Sequence, residues 1–261
     1  MLYAIMSDVH SNPAALGTAL ADARELGCAR FVLLGDITGY GYDVRGAMAA
    51  ARSSFDLVLL GNHDSACLGR ETSPCDLANP NYDIDRAQRG QLTKSDLRWL
   101  GARELVRSMD GMALAHGDFV RPGAWGYIVE ERDALMSFNA REESLMFCGH
   151  THHAAVWRSS GPRSAECVSE RLLGGPPAER ESVTFRRGKG ERHIVNVGSV
   201  GYPRNDLCST YAICDPESDE FTIRRIPFDY RTYVSEMLRG NVGLPPWLCR
   251  MMLLASRFRP G

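Results

Sequence analysis

Seven side chains able to grip a divalent cation stand just after short apolar runs in this chain of 261 residues. They are Asp8 and His10, then Asp36, Asn62, His116, and finally His150 with His152. Histidine is the commonest metal ligand among side chains, and of the seven histidines only His153 and His193 fall outside these run ends. Two ions with four ligands each, sharing one bridging carboxylate, require seven side chains. Two divalent ions held about 3.5–4 Å apart polarise a phosphoryl group and generate a hydroxide nucleophile at neutral pH. A donor set of oxygen and imidazole without thiolate suits Mn²⁺, Fe or Zn²⁺ better than a structural sulfur-bound zinc. Two divalent metal ions are therefore expected, Mn²⁺ first, with Fe, Zn²⁺, Ni²⁺ or Mg²⁺ also compatible.

The densest cluster is Gly61-Asn62-His63-Asp64. Glycine at the end of a strand lets the backbone turn and approach a ligand. An amide, an imidazole and a carboxylate in succession make a strange trio for a core. A polar turn after a strand would look the same in isolation, and it is the company of the other run ends that points to chemistry.

The elements that must position these groups follow from the apolar pattern. Tyr3–Met6, Phe31–Leu34 and Phe55–Leu60 read as buried strands. The segment between the first two reads as a helix capped by Asn12, with Pro13 in its first turn and Gly27 at its stop. A second helix is expected over roughly 43–52. Further strands are expected at 112–115, 145–148 and 194–197, with a hairpin at 211–223 split by Asp215-Pro216-Glu217-Ser218. A helical rhythm runs through 83–105, and Asn79-Pro80-Asn81 marks a turn. Strand and helix alternating, with polar residues after each strand, is the pattern of an α/β sheet whose ligands gather beyond the strand carboxyl ends. The chain reads as one domain over 1–261, with a loop or hairpin excursion at about 158–193 and a helical C-terminal tail.

Composition narrows the function classes. A formal net charge of -2 argues against an extended nucleic-acid surface, so an anionic substrate would draw on local positive charge such as bound metal. No apolar run reaches the ~18 residues of a membrane helix. The eight cysteines contain no Cys-x-x-Cys pair, which fits buried thiols in a reducing cytoplasm. Arg186, Arg187, Lys189 and Arg192 form a basic run, read as a solvated loop or as a guide for a nucleotide phosphate. Ser199 needs no nucleophilic role, since a metal site makes a serine base unnecessary.

In this order the motifs resemble the calcineurin-like metallophosphoesterase superfamily: Asp8-Val9-His10, Gly35-Asp36, Gly61-Asn62-His63-Asp64, His116-Gly117 and Gly149-His150-Thr151-His152. The looser pieces 35–41 and 196–201 look like its small bacterial and archaeal phosphodiesterase branch. The resemblance implies a four-layer α/β/β/α sandwich of two mixed sheets flanked by helices. It implies one ion on Asp8, His10, Asp36 and His152, and another on Asp36, Asn62, His116 and His150. His63 is then a proton donor to the leaving alkoxide or a stabiliser of phosphoryl oxygens, with Asp64 the adjacent candidate to orient it. The protein phosphatases of the superfamily continue Gly-Asp into Val-Asp-Arg-Gly, whose second Asp orients the catalytic His and whose Arg grips phosphate. Here those two positions are Gly39 and Tyr40. Tyr40 and Arg204 are accordingly the candidate substrate contacts, and Trp125 and Tyr127 either wall the cleft or pack.

The implied activity is a dimetal phosphodiesterase that attacks phosphorus with metal-bound hydroxide, acting on a small phosphoester or nucleotide. A phosphomonoesterase, a protein phosphatase and a dinucleoside polyphosphate hydrolase are the alternatives within catalysis. A non-catalytic binding or scaffold protein on the same fold is the alternative outside it.

Overall fold

Side chains alternate between the two faces of a strand, and here both faces are apolar, so each strand must be covered twice. In β1 (Tyr3–Met6) Ala4 and Met6 pack toward α1 (Pro13–Glu25) and α2 (Val44–Ser54), while Tyr3 and Ile5 turn the other way. The computed structural model describes residues 1–70, 83–169, 179–204 and 208–239, and within them this alternation builds two six-stranded sheets.

The first sheet runs β3-β2-β1-β11-β12-β9, using β2 (Arg30–Leu33), β3 (Leu57–Val58), β9 (Glu181–Arg186), β11 (Cys208–Cys214) and β12 (Glu220–Pro227). The second runs β4-β5-β6-β10-β7-β8, using β4 (Val106–Met109), β5 (Met112–Ala115), β6 (Leu145–Cys148), β7 (Ala154–Ser159), β8 (Glu166–Cys167) and β10 (Arg192–Val197). Both sheets are mixed. β1, β2 and β3 pair in parallel, as do β5, β6 and β10, whereas β11 runs antiparallel to β1 and β7 antiparallel to β10.

Three apolar layers separate four layers of structure. Leu16, Leu20, Ala47 and Met48 fill the space between α1, α2 and the first sheet. Ile5, Val32, Leu114, Phe147, Val195 and Phe221 meet between the sheets. Ala113, Met146 and Ile194 on the far side of the second sheet pack against Ala134 and Phe138 of α6 (Glu131–Ala140). This is the expected α/β/β/α sandwich. Among the described residues, no helix is long and apolar enough to cross a membrane, and the described cysteines are all free thiols.

Several elements differ from the sequence reading. The third strand shrinks to Leu57–Val58: the Leu59 N–H still donates to the Leu33 carbonyl of β2, while the Leu60 N–H turns to the Glu104 carbonyl. Gly61-Asn62-His63-Asp64 is the start of a short helix, α3 (Asn62–Cys67), rather than a loop. The rhythm over 83–105 divides into α4 (Asp83–Arg89) and α5 (Lys94–Gly101), the second capped by Thr93 Oγ1 accepting from the Asp96 N–H. β4 precedes the expected strand at 112–115 and forms a hairpin with it through Asp110-Gly111. The stretch 158–193 contributes strands to both sheets, with β9 forming the outer edge of the first. Its basic residues divide: Arg186, paired with Glu220, and Lys189 are exposed, whereas Arg187 donates to the carbonyls of Pro216 and Ser218 and Arg192 to those of Phe138, Arg141 and Glu143. The C-terminal helix α7 spans Tyr230–Arg239. The turn at 79–81 and the tail beyond 239 lie outside the described residues.

One polar knot ties α1 to the first sheet. Asp22, on the buried face of α1, accepts hydrogen bonds from Arg224 Nε at 2.8 Å and the Tyr211 hydroxyl at 2.7 Å, and Arg180 reaches it at 3.2 Å. Burial alone would raise the Asp22 carboxyl, but these donors and charges outweigh it and hold the group below its usual value. Removing one member of a buried pair typically costs about 3–5 kcal/mol, so Asp22→Ala should lower stability to denaturant on that scale. A depressed native pKa contributes stability above the unfolded value of about 4 and loses it as pH falls through the native value. The gap between wild type and Asp22→Ala, measured by urea unfolding, should therefore close below about pH 4.

Candidate metal centre

The strand ends of both sheets deliver their polar groups to one place. Asp8, His10, Asp36, Asn62 and His63 come from the first sheet, and His116, His150 and His152 from the second, all buried. The backbone is bent hard to do this. Of the nine non-glycine residues with positive φ among the described residues, eight belong to this region: Asp8, His10, Ser11, Asp36, Tyr40, Trp125, His150 and His152. Such conformations each cost on the order of 1–3 kcal/mol and persist only where the surroundings enforce them. Gly61 is part of that enforcement, because a Cβ there would collide with the Asp36 carboxylate.

The inward-facing atoms form overlapping groups. Asp8, His10 and His152 make one and Asp36, His116 and His150 a second, with His10, Asp36 and His63 overlapping both, and the ligand atoms in each lie within 4.8 Å of one another. The Asn62 amide oxygen lies 3.1 Å from His116 Nε2 and joins the second. Asp36 stands between them: its Oδ2 is 3.7 Å from His10 Nε2 and 3.2 Å from His116 Nε2. Asp8 Oδ1 is 3.2 Å from His152 Nε2 and 3.6 Å from His10 Nε2. These are the seven residues that the sequence assigns to two ions, with Asp36 in the shared position.

Whether the arrangement suits cations can be judged from the partners of each atom. Asp8 Oδ1 and Asp36 Oδ2 are buried and accept no hydrogen bond, and among the described residues neither carboxylate pairs with Lys or Arg. Buried charges are ordinarily paired or bound to metal. Three imidazoles have one nitrogen tied down: His10 Nδ1 to the Thr38 carbonyl at 2.9 Å, His152 Nδ1 to the Tyr202 carbonyl at 2.8 Å, and His150 Nε2 to the Trp125 carbonyl at 2.9 Å. Carbonyls only accept, so each tied nitrogen carries the proton and the other presents a lone pair, the state in which a backbone acceptor orients a histidine toward a metal.

Electrostatics point the same way. Burial pushes His10 down to about 4 and His150 down to about 3, which keeps both rings neutral and able to coordinate. Burial also works against protonation of His116, but the Asp36 charge overrides it and lifts this ring to about 9. A proton is drawn to the place where a larger cation would satisfy the same carboxylate. The donor set fits divalent metal.

His63 sits beside this cluster, 5.0 Å from His10 between ring centroids. Its partner is not Asp64. Asp64 lies at the third position of α3 and turns back to accept from the main-chain N–H groups of Asp36, Ile37, Thr38 and Gly61, at 2.8–3.2 Å. It fastens the Asp36 loop to the Gly61 turn and has no direct bond to the imidazole. Successive helical residues project about 100° apart, which is why chain adjacency misleads here. The carboxylate that does hold His63 is Asp85 of α4, with Oδ2 2.7 Å from Nδ1 and full burial. Burial lowers the His63 ring, but the Asp85 and Asp36 charges outweigh it and leave it raised. Nothing in the motif order revealed Asp85. Its only sequence signal is its place beside Asp83 as one of two acidic residues in the first turn of an expected helix.

Tyr40 and Tyr202 stack at 4.7 Å and 17°, and Tyr40 also lies 4.5 Å from His63 and 4.7 Å from His10. The exposed Arg204 follows Tyr202 on the same loop, and its charge opposes the upward push of burial on both tyrosine hydroxyls. Tyr127 stacks on His150 from the other side at 4.2 Å and 12°. Ser199 is structural: its hydroxyl donates to the Asp8 carbonyl and accepts from the Tyr202 N–H.

Comparison with known proteins agrees with this geometry. Residues 1–219 match the model of the calcineurin-like phosphoesterase superfamily domain. A metallophosphoesterase from Sphaerobacter thermophilus is similar in structure, with a TM-score of 0.77 and 29% identity, over 97% of this chain and 98% of that one. A hypothetical protein from Pyrococcus horikoshii shares the fold at a TM-score of 0.65 and 14% identity, over 96% and 97% of the two chains. An uncharacterized protein from Methanocaldococcus jannaschii is 25% identical over 97% of this chain and 98% of its own length. With its motifs in order, its four layers and its buried cluster of histidines and aspartates, the chain belongs to the calcineurin-like phosphoesterase superfamily.

Proposed function

We propose that the chain is a metal-dependent phosphodiesterase whose two ions are held by Asp8, His10, Asp36 and His152, and by Asp36, Asn62, His116 and His150. The observation that carries the reading is the pair of buried carboxylate oxygens, on Asp8 and Asp36, that accept no hydrogen bond and, among the described residues, have no Lys or Arg beside them, only imidazoles. When bound, two divalent ions supply charge stabilisation for the phosphoryl oxygens and activation of water at neutral pH.

The chain's own residues supply the rest. Burial lowers the His63 ring, but the Asp85 and Asp36 charges leave it raised above its ordinary value, and it stands beside the cluster as the donor of a proton to the departing alkoxide. Asp85 engages Nδ1 and fixes the orientation of the ring. It thereby replaces the motif aspartate whose place is taken by Gly39. Tyr40, with no hydrogen bond to its hydroxyl among the described residues, offers one neutral donor where the protein phosphatases have an arginine. A diester carries less negative charge than a monoester and depends less on such a cation. This favours the diester over the phosphomonoesterase and protein-phosphatase alternatives.

Three experiments test the reading. Purified protein should hold two divalent ions per chain, Asp36→Asn should lower the content of both, and chelation should abolish hydrolysis across a phosphoester panel. One tightly held ion with activity that survives chelation would sink the proposal. His63→Asn should keep its metal and lower kcat by ~10²–10⁴ on substrates with poor leaving groups, with a smaller loss on nitrophenyl esters. Asp85→Asn should follow the same leaving-group pattern with a loss of about 10–100-fold. The double variant should be no worse than His63→Asn alone, and additive losses would separate the two residues. Finally, kcat/KM with Mn²⁺ should be higher for bis-p-nitrophenyl phosphate than for p-nitrophenyl phosphate, and Tyr40→Arg should move the ratio toward the monoester. A wild-type preference for the monoester would refute the diester assignment.

A further inference from the structure

The two aromatic flanks of the site are not equivalent. On one side Tyr40 is part-buried, with Tyr202 stacked on it and His63 and His10 packed around it. On the other side Tyr127 covers His150 with one face, yet the residue is 50% exposed. A half-exposed tyrosine beside a buried cluster needs some account of what its outer face meets.

The loop beneath Tyr127 is built to hold it there. The Asp118 N–H donates to the Gly126 carbonyl at 2.9 Å, and the Asp118 carboxylate accepts from the N–H groups of Val120 and Arg121 at 2.7 and 2.9 Å. Any side chain at residue 126 would strike that carboxylate, so glycine is required. Trp125 takes a left-handed backbone conformation, φ 58, which aims its carbonyl at His150 Nε2. Hydrogen bonds, a steric requirement and a strained residue together fix where Tyr127 emerges. That is more constraint than an exposed loop tip needs, and it amounts to preorganisation of a planar surface.

We infer that Tyr127 is a base-stacking residue and that the substrate is a nucleotide, its phosphate at the histidine and aspartate clusters and its nucleobase on the open face of Tyr127. The inference rests on the phosphoesterase reading and narrows its substrate class. Stacking of a base on an aromatic side chain is worth roughly tenfold or more in affinity and tolerates base identity. Tyr127 therefore selects for a planar substituent rather than for one particular base.

AMP and ribose 5-phosphate share phosphate and sugar and differ by the adenine, and calorimetry reads their binding without turnover. The Mn²⁺-loaded full chain should bind AMP about tenfold more tightly than ribose 5-phosphate. Tyr127→Ala should bring AMP to within about twofold of ribose 5-phosphate, leaving ribose 5-phosphate affinity and metal content unchanged, and Tyr127→Phe should retain the preference. Loss of metal together with equal weakening of both ligands in Tyr127→Ala would overturn the inference, since Tyr127 would then only brace His150. Equal wild-type affinity for the two ligands, with phosphoesters still hydrolysed, would overturn this inference alone. No binding of either and no hydrolysis would overturn the phosphoesterase reading with it.

Discussion

Asp36 is the group on which the rest of the site depends. One of its oxygens accepts from the His63 N–H at 2.9 Å, and the other stands between both histidine clusters without a donor of its own. A buried carboxylate in that state is costly in a low-dielectric interior, and everything around it can be understood as tolerating the cost. The Asp64 carboxylate anchors its backbone, and three of the surrounding imidazoles, His10, His150 and His152, are oriented by carbonyls rather than by further charges. Glycine at residue 61 allows its carboxylate to lie against the neighbouring turn. The four-layer sandwich holds two sets of strand ends close enough for one carboxylate to serve both.

Much of this was legible in the sequence because the reacting groups are local to strand ends. Asp8 and His10 follow β1 directly, and His150 and His152 follow β6, so motif order and apolar runs together place them. The layer count follows from the same runs, since strands apolar on both faces need cover on both. Asp85 was hidden because its pairing with His63 spans separate elements and is set by how α4 docks, which no periodicity encodes. Asp64 misled for the complementary reason, since adjacency in sequence suggested a contact that helix geometry forbids. The basic run at 186–192 looked like surface charge, but its arginines find main-chain carbonyls and a neighbouring glutamate only once β9, β10 and β12 are assembled.

The tyrosines show how far such a reading extends. Tyr40 and Tyr127 are ordinary residues in sequence, one after a glycine and one in an irregular segment. Their significance comes from position: Tyr40 is part-buried, Tyr127 is open on one face, and both adjoin rings of the cluster. The aromatic flanks and the His63–Asp85 pair are the parts of the site in which this chain departs from the protein-phosphatase pattern, and they are where its choice of substrate would be set.

The division of the site between two sheets also governs when it can come into being. All seven cation-binding candidates lie within the first 152 residues, so a growing chain has synthesised them with much of its length still to come. Yet β1, which presents Asp8 and His10, is flanked by β11, and β6, which presents His150, is flanked by β10. The carbonyl that fixes His152 belongs to Tyr202, and the hydroxyl that holds the Asp8 carbonyl belongs to Ser199. A nascent chain that stops short of residue 202 therefore carries every candidate ligand and lacks the scaffold that orders them. Ordering of the cluster thus depends on the distal strands that complete both sheets.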